Sequence, residues 1–92
     1  MLFVLNKCYG GWSLSEQAAE ILGLDTRYPE LDSAMTEKVA NLIREYGSEF
    51  VSGRCARLRV VELPDNFTDY EVNEYDGIET ITYVVDGKLY HA

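Results

Sequence analysis

Ninety-two residues, 47% of them hydrophobic, make a single domain over 1–92 and exclude wholesale disorder. A formal charge of -8, from 16 acidic and 8 basic residues, argues against a surface built to neutralise phosphates, and so against direct nucleic-acid binding or docking on an anionic membrane. No apolar run approaches the roughly 20 residues that span a bilayer, and the opening MLFVLNK lacks the basic start and small-residue cleavage site of an export signal.

Leu2-Phe3-Val4-Leu5 reads as a short buried strand, and its apolar character on both faces predicts an interior strand rather than an edge. A loop, Lys7-Cys8-Tyr9-Gly10-Gly11-Trp12, follows. Ser13-Leu14-Ser15-Glu16 matches a capping box, in which Ser13 accepts from the amide of Glu16 and Glu16 reaches back to the amide of Ser13. That places a first helix with Leu14, Ala18, Ile21 and Leu22 on one face and Gly23 as its left-handed C-terminal cap. Leu24 to Pro29 is a connection. Asp32 or Ser33 caps a second, longer helix, along which Leu31, Met35, Val39, Leu42, Ile43 and Tyr46 recur at spacings of three and four. Gly47 ends it, and Ser48 to Gly53 adds a short turn.

Ala56 to Leu63 reads as a second strand, stopped by Pro64-Asp65-Asn66. Tyr70 to Tyr75 and Ile78 to Val85 are strands joined by the two-residue hairpin signal Asp76-Gly77. Asp86-Gly87 is a second such signal before Lys88-Leu89-Tyr90-His91. The order strand, helix, helix, then three or four mostly antiparallel strands predicts a two-layer α+β domain with the helices on one face of a small sheet.

The charge is unevenly spread. Between Glu62 and Asp86 stand eight acidic residues and no Lys or Arg, whereas residues 1–61 are nearly balanced. Strand alternation solvates one face of such a segment. Glu71, Glu74 and Glu79 are the candidates for an exposed acidic surface, with Val72, Ile81 and Val85 as core contacts. A surface of this sign favours a basic protein partner.

The loop carries the competing reading. Two glycines allow close backbone approach, the helix start supplies amides and the positive end of a dipole, and Lys7 adds charge. Lys7, Cys8, Tyr9, Gly10, Gly11 and Trp12 are therefore candidates for a nucleotide or phosphate site, or for a protein contact through Tyr9 and Trp12. The pattern is neither a P-loop nor a G-x-G-x-x-G fingerprint, and Glu16 places a carboxylate where an anion would sit.

Catalytic chemistry finds little support. Cys8 has only His91 as a base, near the chain end, and no carboxylate pair is singled out by spacing. Two cysteines 47 positions apart with one histidine make no zinc pattern, and no calcium loop is present. No metal and no cofactor are expected, and Cys8 and Cys55 are expected as free thiols in a reducing compartment.

Lys7 to Ser15 (KCYGGWSLS), Val61 to Asp65 (VELPD) and Tyr75 to Glu79 (YDGIE) resemble, in that order, a family of small bacteriophage and prophage proteins of unknown function. Its members look like K-C-[YF]-G-G-[FW]-[SG]-L-S near the N-terminus, a V-E-[IL]-P-D turn, and Y-D-G-[IVL]-E close to the end. The resemblance covers most of the chain. Family members end soon after the last block in a basic, Trp-containing tail, whereas this chain continues through ITYVVDGKLYHA. The resemblance implies a phage origin, a bacterial host cytoplasm and no established chemistry. Together with the charge it points to a non-enzymatic protein that binds a host or phage protein. One version is a counter-defence or regulatory inhibitor whose acidic face occupies a basic, nucleic-acid-binding groove.

Overall fold

Side-chain alternation decides the centre of the molecule. In the computed structural model, which describes residues 1–27 and 29–92, strand β1 (Leu2–Asn6) runs antiparallel to β2 (Leu58–Glu62), with Val4 opposite Val60. Successive side chains leave a strand on opposite faces, and both faces of this ribbon are apolar. Val4 and Leu58, with Leu2 and Val60 beside them, form one core with three helices, α1 (Glu16–Leu22), α2 (Ser33–Tyr46) and α3 (Ser48–Val51). Leu5, Val61 and Leu63 form a second core with Ile81, joined by Phe3, Phe67 and Tyr83.

Ile81 belongs to a separate antiparallel sheet in the spatial order β3 (Phe67–Tyr75), β4 (Ile78–Val85), β5 (Lys88–His91). Among the described residues, α2 and α3 touch the β1–β2 ribbon and no helix touches β3, β4 or β5. The result is three layers: helices, ribbon, sheet. The outer face of the last layer is uncovered, and the body measures 41 × 27 × 21 Å.

The fold is α+β, as the element order implied, with every strand pairing antiparallel. The strands nevertheless divide into two sheets where one was expected. Both Asp-Gly turns have positive φ at each residue (50° and 89° at 76–77, 52° and 77° at 86–87), the geometry of the tight hairpin turn that matches strand twist. They tie β3, β4 and β5 to one another and leave β1 and β2 to pair alone. β1 is thus an interior layer with a ladder on one side only.

Two helix expectations hold: Asp32 caps α2 by accepting from the amide of Met35 (2.8 Å), and Gly23 closes α1 with φ 68°. The capping box does not form. Ser15, not Ser13, caps α1, accepting from the amide of Ala18 at 3.1 Å and donating to the carbonyl of Phe50 at 2.7 Å. Ser13 and Leu14 are extended instead, since the Leu14 amide donates to Thr26 (2.7 Å), the Ser15 amide to Val51 (2.8 Å) and the Gly53 amide to Ser13 (2.9 Å). Leu14 fills the core from that extended position, and the helix face rotates accordingly. Ala18 and Ala19 are buried, and Ile21 stands in solvent. On α2, Val39, Ala40, Leu42 and Ile43 are buried, while Tyr46 lies outside on Phe50. Tyr28, in the connection expected from Leu24 to Pro29, lies outside the described residues.

Candidate binding surfaces

The loop after β1 is built around Asn6, which is fully buried. Its side-chain amide donates to the carbonyls of Cys8 (2.7 Å) and Gly77 (2.6 Å). Its oxygen accepts from the amides of Arg57 (2.8 Å) and Cys8 (3.3 Å). A buried amide is tolerated where its donors and acceptors are matched in this way. Asn6 thereby ties the loop, the start of β2 and the β3–β4 turn to one point.

The glycines serve the same junction. Gly10 and Gly11 have φ of 115° and 95°. The Gly10 amide donates to the carbonyl of Asp76 at 3.2 Å. A Cβ added to Gly77 would run into the backbone of Gly11 and lie 2.9 Å from the Gly10 nitrogen. The close approach that glycine permits is therefore used by the chain's own hairpin turn.

Lys7 points away from the glycines. Its ammonium donates to the carbonyl of Glu79 (2.8 Å) and the main-chain oxygen of Ala92 (3.1 Å). Burial, and secondly the nearby Arg59 guanidinium, hold its pKa below the ordinary lysine value, against an opposing pull from Glu79. Trp12 is half-buried against the helix core, with its indole nitrogen donating to the carbonyl of Val4 at 3.0 Å. Tyr9 stands out at 63% exposure. Cys8 is half-buried, Cys55 exposed, and both thiols are free. Of the six loop candidates, Tyr9 alone projects a large side chain into solvent.

The acidic candidates do not share a face. Glu71 lies opposite Thr82, whereas Glu74 lies opposite Glu79. The odd spacing of 71 and 74 puts them on opposite sides of the strand. Two carboxylates in direct cross-strand register repel, and each here has a donor. Glu74 accepts from the Gly77 amide (2.7 Å), and Glu79, half-buried, accepts from the Asn6 amide (2.8 Å). Val72, expected in the core, is 41% exposed because β3 is an edge strand, while Ile81 is fully buried.

The other side of β3 carries Asp69 and Glu71, opposite Val84 and Thr82. Both are exposed, and among the described residues neither has a hydrogen bond or an ion pair through its side chain. Tyr75 on the same face is 73% exposed, and Leu89, opposite Val84 on β5, 63%. The open outer face is therefore a mixed surface of carboxylates, threonines and apolar side chains. Sequence reasoning missed Asn6 and Asp69. No periodicity marks a lone buried asparagine, whereas counting Asp69 and Glu71 two apart on a strand puts them on one face.

Among the described residues no cluster of His, Cys, Asp and Glu is arranged to hold a metal, and no helix is long and apolar enough to cross a membrane. Comparisons with protein-family models, with curated proteins and with solved structures returned no match.

Proposed function

We propose that this is a small phage-type protein that works by binding, without catalysis, and that its surface is the outer face and free edge of β3, directed at a basic protein. The observation that carries this reading is the placement of Asp69 and Glu71, exposed and, among the described residues, unpaired and uncovered on one face, within a segment holding eight carboxylates and no Lys or Arg. The exposed Tyr75 and Leu89 add apolar area beside the charge. Like-signed charge around an apolar patch speeds encounter with an oppositely charged partner and rejects others. The family resemblance of the KCYGGWSLS, VELPD and YDGIE blocks supports a phage origin and a bacterial host protein as the partner. A counter-defence or regulatory inhibitor occupying a basic, nucleic-acid-binding groove is the concrete form of this proposal.

The test is capture from bacterial lysate at low and high salt, then affinity measurements on the captured protein. Asp69→Lys with Glu71→Lys should weaken binding at least about tenfold at low ionic strength, chiefly through the on-rate. The gap should narrow at high salt, because screening removes the attraction that the reversal destroys. Tyr9→Ala should bind as the parent does. Equal affinity for the charge reversal at low salt contradicts the proposal.

A further inference from the structure

We infer that a cleft lined by Arg27 and Arg54 binds a small molecule through an oxyanion, a phosphate monoester or a carboxylate. The inference is independent of the outer-face reading.

Three extended segments build the floor. Ser13 bridges Arg27 on one side, and the Gly53 amide donates to the Ser13 carbonyl (2.9 Å) on the other. Adjacent extended chains lie about 4.8 Å apart, so Arg27 and Gly53 flank Ser13 at roughly 10 Å from each other, and Arg54 follows Gly53 in a turn at the rim of the cleft. Leu14 is 2% exposed and points into the core. Ser13 and Ser15 therefore leave on the cleft side, and Arg27, paired with Ser13, leaves with them. Gly53 faces the same way, since a Cβ placed on it would sit 2.8 Å from the Ser13 Cβ. Its φ lies outside the left-handed region, so the backbone does not demand glycine there. The floor does, because a side chain would collide with Ser13.

The cleft holds about 570 Å³, within the range of small-ligand sites. Arg27, Arg54, Trp12, Glu16 and Cys55 stand around it. Among the described residues the one ion pair is Arg44–Glu62, so both cleft arginines lack a carboxylate within bonding distance. Two guanidinium groups against the single carboxylate of Glu16 leave the cleft positive in a chain of charge -8. The guanidinium fork pairs bidentately with two oxygens of a carboxylate or of a phosphate. The two guanidinium groups can meet a carboxylate or the roughly -1.5 to -2 charge of a phosphate monoester, and Glu16 opposes the larger charge of polyphosphates. Lys7 does not line the cleft, and its ammonium is engaged at Glu79 and Ala92. The site therefore differs from the phosphate loop suggested by the sequence.

The experiment is an amide NMR titration of the whole chain with inorganic phosphate and, separately, acetate, at constant ionic strength against chloride. Saturable shifts are expected in segments 13–17, 26–27 and 52–55, and the anion saturating at lower concentration identifies the preferred group. Arg27→Gln with Arg54→Gln should weaken binding at least about tenfold, the paired Lys variant should fall between, and Lys7→Gln should change it less than about twofold. Glu16→Gln should tighten binding about two- to fivefold by removing the opposing charge. This last variant keeps the test decisive if the double arginine variant loses its fold. Shifts no different from chloride for both anions, saturable shifts unchanged in the Gln pair, or unaltered affinity in Glu16→Gln would each overturn the inference.

Discussion

Gly10 and Gly11 look open in the sequence and are occupied in the fold, whereas Asp69 and Glu71 sit in an ordinary-looking strand and find no side-chain partner among the described residues. At the glycine loop the Gly77 turn takes the close approach, Asn6 satisfies the carbonyls of Cys8 and Gly77, and Lys7 is drawn to β4. On β3 the 76–77 turn pins the strand to β4, and among the described residues no further layer covers its outer face. The difference teaches that hydrogen-bond saturation, rather than residue type, separates a structural junction from a surface available to a partner. Glycines beside a helix start suggest a ligand only until another piece of backbone is found lying on them.

The largest loss of stability is expected at Asn6. Asn6→Leu removes the partners of the Cys8 and Gly77 carbonyls and of the Arg57 amide, each group costing about 1–3 kcal/mol when buried and unmet. A loss of roughly 3–5 kcal/mol in urea unfolding is expected after partial relaxation. A loss under about 1 kcal/mol would mean that the junction does not hold the loop to the hairpin.

Gly77→Ala comes next. It adds a Cβ at φ 89° against the backbone of Gly10 and Gly11. The conformational penalty of about 1 kcal/mol and a clash of similar size together predict roughly 2–3 kcal/mol. By contrast Gly87→Ala, at φ 77° with nothing nearby, should cost only the conformational part. Equal losses for the two would show that the glycine loop is not the seat of the 76–77 turn.

Capping sharpens the local picture. Ser15→Ala should cost about 0.5–2 kcal/mol, the usual loss at an N-cap, while Ser13→Ala should stay within about 0.5 kcal/mol. The reverse order in thermal unfolding would restore a helix start at Ser13. The smallest effect on stability is expected on the outer face, where Asp69→Lys with Glu71→Lys should shift unfolding by no more than about 0.5 kcal/mol. A larger loss would mean that these carboxylates support the fold.

Much of the architecture was legible because it is local. Both Asp-Gly turns, the Asp32 cap, the Gly23 stop and the α2 stripe follow from short-range chemistry that no tertiary contact overrides. The start of α1 was misread because Ser13 and Ser15 are equally good caps, and the choice between them rests on Thr26, Val51 and Gly53, all distant in sequence. The division into two sheets was hidden for a related reason. An apolar strand reads the same whether its second face meets a neighbouring sheet or sits within one sheet. The acidic segment was found as a run, but its three named glutamates were split by the pleat, and Glu79 was turned inward by the Asn6 amide. The cleft between Arg27 and Arg54 left no mark in the sequence, since its walls come from segments that only the β-bridges bring together.

The central claim is that the outer face of β3 meets the partner while the glycine loop only holds the fold. Hydrogen exchange, measured on the chain alone and on the chain bound to the basic protein it captures, tests this without any substitution. Added protection is expected over residues 67–76 and none over 7–12. Protection gained at 7–12 with residues 67–76 unchanged would contradict it.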